Sequence, residues 1–276
     1  MKIATVGKGG SGKTTIAGTL ARLLGRQTGK VLAIDGDTNP NLALVLGLSP
    51  EQANAITYTR ASVMRSVETA DGGRKLELAI PEAELQERYV TKAPDGVELI
   101  VMGQPEHGSA GQGCMCASHR GVRGLIAELS GFGEHTVTDM EAGLEHLRRG
   151  TAKNVDLMLI VIEPYYRSLE AGARTAKLAE ELAIPHIYAV ANKVQGPDDL
   201  AAIESFCAKH GMRLLGHVPL DDAFALAERA GNAPIDHAPH SPGVEAIREL
   251  AGAITMLKAG APKAPMSRSA LSPTVG

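Results

Sequence analysis

Residues 7–15 read GKGGSGKTT, with Gly7, Gly12, Lys13 and Thr14 at the fixed places of a phosphate-binding loop, G-x-x-x-x-G-K-[ST]. The chemistry explains the residue types. Glycines let backbone N–H groups turn toward phosphate oxygens without a Cβ in the way. Lys13 supplies a point charge for the β- and γ-phosphates, and the Thr14 hydroxyl is a ligand for Mg²⁺. The loop follows an apolar run (Ile3-Ala4-Thr5-Val6) and opens a helical pattern (Ile16, Leu20, Leu23, Leu24), the strand–loop–helix setting the motif needs. Gly7, Lys8, Gly9, Gly10, Ser11, Gly12, Lys13, Thr14 and Thr15 are therefore the expected nucleotide cradle. Lys8 is a second lysine that the loop itself does not require.

Outward from the loop, apolar runs alternate with helical patterns. Strands are expected at 2–6, 30–34, 97–102, 136–139, 155–162, 186–191 and 213–218, and helices at 13–26, 119–130, 167–182, 198–210, 220–230 and 242–257. Runs such as Leu157-Met158-Leu159-Ile160-Val161-Ile162 are apolar at every position, as in a parallel sheet covered on both faces. The expected fold is α/β: a doubly wound, mostly parallel sheet of the P-loop NTPase kind, spanning residues 1–258. Residues 50–95 are more polar and read as an irregular insertion. Residues 259–276, rich in Pro, Ala and Ser, read as a disordered tail.

Bulk composition narrows the partners. The chain has 276 residues, 44% apolar and 21% charged, with a net charge of −3 that argues against a nucleic-acid footprint. Aromatics make up 3% and Trp is absent, which disfavours base-stacking platforms. No apolar run reaches the roughly 18–20 residues that span a bilayer, and the N-terminus reads as a strand rather than a signal peptide. Three cysteines do not make a disulfide framework, so a reducing, cytoplasmic setting is expected.

Acidic residues sit where strands end. Asp35, Gly36 and Asp37 close the second strand, beside the loop, where such sheets bind ligands. Asp37 is suited to the Mg²⁺ shell or to orienting a water, and equally to forming a turn. Asp139 closes another strand and fits the second acidic position of P-loop enzymes, or the N-cap of a helix over 140–149. Glu141, two residues on, is a further acid in reach of a water. Asn192 and Lys193 end the strand IYAVANKV, where an amide can read an adenine edge or form a polar turn. Pro219, after the next strand, is placed to line the base pocket.

Cys114 and Cys116 stand in GQGCMCASH. Two thiolates are half of a tetrahedral site, to be completed by His107 and His119 or by a second subunit across a twofold axis. Soft thiolates suit Zn²⁺, Ni²⁺ or an Fe–S cluster. The pair is equally readable as two incidental cysteines in a glycine-rich loop. Cys207 reads as core.

Lys8 together with Lys13 resembles the deviant Walker A signature of the family that includes MinD, ParA, ArsA, the nitrogenase iron protein and the CooC-type ATPases. Within it the chain is most similar to the CooC type, the accessory ATPases of nickel carbon monoxide dehydrogenase. The P-loop with IDGDTNPNLAL, the GCMC pair, and DMEAGLEHLRRG with EPYYRSLE carry that likeness, over about residues 1–255. The resemblance implies an ATP- and Mg²⁺-dependent homodimer in which Lys8 reaches the partner's nucleotide. It implies that Cys114 and Cys116 of both chains hold one Zn²⁺ or Ni²⁺ ion for a client metalloenzyme. It also implies that Asp37–Asn41 and the segment from about 103 to 119 act as switches. Thr38-Asn39-Pro40 after Asp37 departs from the Asp-Pro more common in CooC-type proteins. A nitrogenase-type Fe–S reductase is the alternative enzyme, but DMEAGLEHLRRG lacks the cysteine it would need. A MinD- or ParA-type positioning ATPase is the other; no amphipathic membrane helix or basic DNA-binding face stands out.

Overall fold

The computed structural model describes residues 1–69, 72–102, 116–128, 133–144, 147, 151–152 and 154–260. Strands β1 (Lys2–Gly7), β2 (Val31–Gly36), β3 (Met64–Glu68), β4 (Arg74–Leu78), β5 (Thr91–Lys92), β6 (Val97–Val101), β7 (His135–Met140), β8 (Leu157–Ile162), β9 (His186–Val194) and β10 (Leu214–Pro219) form two sheets. The larger is eight-stranded, in the order β10-β9-β8-β1-β7-β2-β6-β5, and parallel except where β5 runs antiparallel to β6. The helices are α1 (Lys13–Thr28), α2 (Leu42–Val45), α3 (Pro50–Asn54), α4 (Glu82–Tyr89), α5 (Cys116–Glu128), α6 (Tyr166–Glu181), α7 (Pro197–Lys209), α8 (Asp222–Arg229), α9 (Pro234–His237) and α10 (Pro242–Lys258).

Alternation along the strands sends side chains to two cores. Ile3, Val31, Ala33, Leu99, Val137 and Leu159 pack under α1 and α10. Ala4, Leu32, Ile34, Ile100, Met158 and Ile160 pack under α5, α6 and α7. Each fully buried Leu or Ile contributes roughly 1.5–3 kcal/mol relative to exposure, and the acids of β2 and β7, Asp35 and Asp139, come only near the C-terminal ends of those strands. The doubly wound, mostly parallel sheet expected from the sequence is the fold.

The chain goes from β1 to β2 and later returns to place β7 between them, then crosses to β8 on the other side of β1. Ligands bind at such switch points, outside the carboxyl ends of the strands. The P-loop, Asp37, Glu141 and Asn192 all lie at that end.

The described residues of 50–95 include α3, β3, β4, α4 and β5. α3 has a capping box: Ser49 Oγ accepts the Gln52 N–H while the Gln52 side chain accepts the Ser49 N–H. β3 and β4 pair antiparallel, β4 lies against α5, and β5 extends the main sheet. Arg22, buried on α1, donates to Asp236 Oδ2 at 2.7 Å, to Asp236 Oδ1 at 2.8 Å and to Leu46 O at 3.1 Å, and also pairs with Asp95. It fastens the P-loop helix to three distant segments. No helix among the described residues is long and apolar enough to cross a membrane.

Candidate functional site

The P-loop closes on itself and on its neighbours. The Ser11 N–H donates to Lys8 O at 3.1 Å, and α1 begins at once behind Gly12, whose φ of +88° is left-handed. A Cβ on Gly7 would lie 2.6 Å from Ser11 Oγ and 2.7 Å from Val161 O. Glycine is therefore the side chain that fits the turn out of β1. Lys13 is 8% exposed and its Nζ lies 3.0 Å from Asp37 Oδ2. Burial works against the Lys13 charge, but Asp139, Asp37 and Asp35 outweigh it and raise its pKa.

Asp139 is buried at the end of β7. Its Oδ2 accepts the Thr14 hydroxyl at 2.6 Å and its Oδ1 the Thr5 hydroxyl at 3.2 Å. Burial, with help from the Asp37 charge, pushes its carboxyl up to about 6, against the pull of Lys13, Thr14 and Thr5. The structure thus brings Lys13, Thr14, Asp37 and Asp139 together. Glu141 accepts the Thr38 hydroxyl at 3.1 Å, which joins the loop after β7 to the loop after β2. Lys8 is exposed on the outer rim.

Asp35 had drawn no separate role. It is fully buried, and its carboxylate accepts the Asp37 N–H at 3.1 Å and the Leu42 N–H at 2.9 Å. Both ends of the 37–42 segment are thus pinned to one side chain. Burial and then the Asp139 charge push Asp35 up to about 7, while those two N–H groups pull it down. The repeated acid in Asp35-Gly36-Asp37 was the available sequence signal.

A cleft of about 520 Å³ runs from Gly10, Gly12, Lys13, Thr14 and Thr15 past Asn192 and Lys193 to Pro219, Leu220 and Phe224. One end carries loop N–H groups and a cation, the other apolar surface, which matches the polarity of a nucleotide. Within the loop, Ser11 Oγ is buried and has no hydrogen-bond partner among the described residues. Hard oxygens on Thr14 and Asp139 are the donor set Mg²⁺ prefers. The residues present therefore fit a Mg²⁺-nucleotide.

Pro219 and Asn192 line the cleft, and Asn192 also donates its Nδ2 to Ser11 O at 2.7 Å. Lys193 donates to Gly10 O at 2.6 Å. Cys207 is buried on α7, and that burial pushes its thiol up to about 11, in keeping with a core residue. Residues 103–115, with His107 and Cys114, and the side chains of Cys116 and His119 lie outside the described residues, as do residues 261–276. Among the described residues no group of His, Cys, Asp and Glu gathers as a further metal cluster.

Comparison with known proteins agrees with this geometry. The CobQ/CobB/MinD/ParA nucleotide binding domain matches residues 2–235. The carbon monoxide dehydrogenase accessory protein CooC of Rhodospirillum rubrum is 38% identical over 87% of this chain and 91% of its own length. An uncharacterized ATP-binding protein of Methanocaldococcus jannaschii is 36% identical over 84% of this chain and 90% of its own. Among solved structures, MinD from Pyrococcus horikoshii OT3 complexed with Mg-ADP superposes with a TM-score of 0.70 at 22% identity, covering 93% of this chain and 96% of that one. A ParA family ATPase from Chlorobium tepidum TLS gives 0.67 at 21% identity, covering 91% and 96%.

Proposed function

We propose, from the premise that this chain belongs to the CobQ/CobB/MinD/ParA nucleotide-binding family, that it couples ATP hydrolysis to metal insertion into a nickel carbon monoxide dehydrogenase or a related metalloenzyme. Family membership makes the chain a nucleotide-binding ATPase that uses ATP and Mg²⁺. The observation that carries the chemical part is the pairing of Lys13 with Asp37 and of Thr14 with Asp139, Lys13 and Thr14 themselves lining the cleft. The client assignment rests on the likeness to the CooC accessory protein.

The roles follow from the contacts. Lys13 stays cationic and holds phosphate oxygens. Thr14 and Asp139 would hold Mg²⁺, which would supply positive charge against the phosphates. Asp37 orients the attacking water. Its bond to Lys13, a residue that lines the cleft, supports that role. Lys8, exposed on the rim, is free to reach the nucleotide of a second copy, so that two chains close on each other when ATP is bound.

In the closed pair Cys114 and Cys116 of both chains supply four thiolates to one cargo ion, Zn²⁺ or Ni²⁺. The segment 37–42, pinned by Asp35, is the element that senses nucleotide state. Met102 donates its N–H to Asp35 O at 2.9 Å, so the same residue adjoins the strand end that leads into the thiolate segment. Nucleotide state and metal affinity then share one two-state element.

Metal content tests the cargo site. After loading with Zn²⁺ or Ni²⁺ and desalting, the wild type is expected to retain metal and the double variant Cys114→Ser/Cys116→Ser to lose it. A double variant that retains wild-type metal overturns the thiolate assignment and leaves the ATPase untouched.

A further inference from the structure

Lys193 has a contact pattern that base recognition does not explain. Its Nζ donates to Gly10 O at 2.6 Å and pairs with Glu163 Oε1 at 2.8 Å. Its backbone φ is +57°, a left-handed conformation that non-glycine residues rarely adopt. Glu163, just beyond β8, is itself anchored: its N–H donates to Ser168 Oγ at 3.0 Å, and its carbonyl accepts the Tyr165 N–H at 2.7 Å. Beside Lys193, the Asn192 amide donates to Ser11 O at 2.7 Å. The end of β9 thus grips consecutive carbonyls of the P-loop, and Glu163, beyond β8, holds Lys193 in place.

We propose that Lys193, tethered by Glu163 and acting alongside Asn192, is a positioning residue that clamps the carbonyl side of the P-loop and so sets its affinity for phosphate. The Gly10–Ser11 peptide is held at both ends, its carbonyl by Lys193 and its N–H by Lys8 O. The Ser11–Gly12 carbonyl is held by Asn192. A trans peptide points its N–H opposite its carbonyl, so pulling this carbonyl outward turns the Gly12 N–H the other way. An ammonium makes a charge-assisted bond to a carbonyl, stronger than a neutral donor's, and Glu163 fixes where that ammonium sits. An N–H cradle fixed before the ligand arrives costs less ordering on binding.

The clamp rests on the phosphate-binding reading of the loop, and one experiment separates the two. Affinities of the full chain for ATP and for inorganic tripolyphosphate, each with Mg²⁺, are measured by calorimetry for wild type, Lys193→Met and Glu163→Gln. Tripolyphosphate has no base or sugar. The clamp predicts that Lys193→Met weakens both ligands by a similar factor, about tenfold for one lost charge-assisted bond. Glu163→Gln is expected to weaken both severalfold. Charge alone predicts the reverse sign for Glu163→Gln, because removing a carboxylate near a polyanion site strengthens binding. Weakening of ATP alone, tighter binding by Glu163→Gln, or wild-type affinity in both variants overturns the clamp. Absence of tripolyphosphate binding by the wild type overturns the phosphate-site reading itself. If Lys193→Met does not fold, as judged by its melting curve, Glu163→Gln decides by the sign of its effect.

Discussion

Two glycines of the P-loop, three residues apart, are expected to respond very differently to the same substitution. Gly12 has φ +88°, and a Cβ there would collide with the Asn192 amide nitrogen. Left-handed backbone costs a residue with a Cβ about 1–2 kcal/mol. Moving Asn192 away also breaks its 2.7 Å bond to Ser11 O, a net loss of about 0.5–1.5 kcal/mol. Gly12→Ala is therefore expected to destabilise the chain by about 2–3 kcal/mol. Gly9 does not have a left-handed φ, and the nearest atom to its added Cβ is Ala142 Cβ at 3.9 Å, an ordinary contact. Gly9→Ala is expected to lie within about 1 kcal/mol of wild type, on the stabilising side because alanine restricts the unfolded chain. Urea unfolding of both variants, with m-values checked for a common two-state transition, gives the difference. ATP titration should show weakened binding for Gly12→Ala alone. Equal unfolding midpoints for the two variants would refute the close packing of Asn192 on Gly12, and with it the account of how β9 shapes the loop.

Asp35→Ala leaves the Asp37 and Leu42 N–H groups without their acceptor, and a loss of ATP turnover well beyond any change in nucleotide affinity is expected; steady-state kinetics with unchanged kcat would contradict its positioning role. His135, 1% exposed, is pushed down to about 4, first by burial and then by the N-terminal ammonium and Lys258, against Glu134. Its unfolded pKa is about 6.5, so the folded state binds fewer protons: the stability this group contributes is complete above pH 6.5 and is lost as pH falls through 4, on the order of 3 kcal/mol. The stability difference between wild type and His135→Val should therefore shift against the wild type between pH 7 and pH 4, and a difference constant with pH would remove His135 from the acid response. Lys8→Ala is expected to bind ATP as wild type does but to lose nucleotide-driven closure; an unchanged ATP-dependent dimer mass would exclude Lys8 from that step.

Much of the fold was legible because its signals are local. The apolar run of β8 reads as a buried parallel strand, and the P-loop motif fixes which strand and helix meet around it. β3 and β4 were harder, because Arg65, Glu68, Arg74 and Lys75 face solvent and the strands are held by each other and by α5 rather than by a continuous apolar run. α2 and α9 are only four residues each, below the length at which helical periodicity can be read. In the site, Lys13, Thr14, Asp37 and Asp139 stood out by motif and strand-end position. Asp35 shares the strand end but its specific role, like that of Glu163, lies in contacts across the sequence: Asp35 with Leu42, and Glu163 with Lys193 thirty residues away. Arg22 was hidden for the same reason, since nothing in a helical pattern reveals that an arginine turns inward to meet Asp95 and Asp236.

On the proposed mechanism, ATP is expected to close two chains around one cargo ion. Sedimentation mass and bound metal, measured on the same sample in Mg²⁺-ATP and in Mg²⁺-ADP, test it together. ATP is expected to bring the wild type to a dimer of 28.8 kDa chains carrying one Zn²⁺ or Ni²⁺ ion per pair, and ADP to loosen both the dimer and the ion. A chain that hydrolyses ATP yet keeps the same mass and the same metal content in both nucleotides would contradict it.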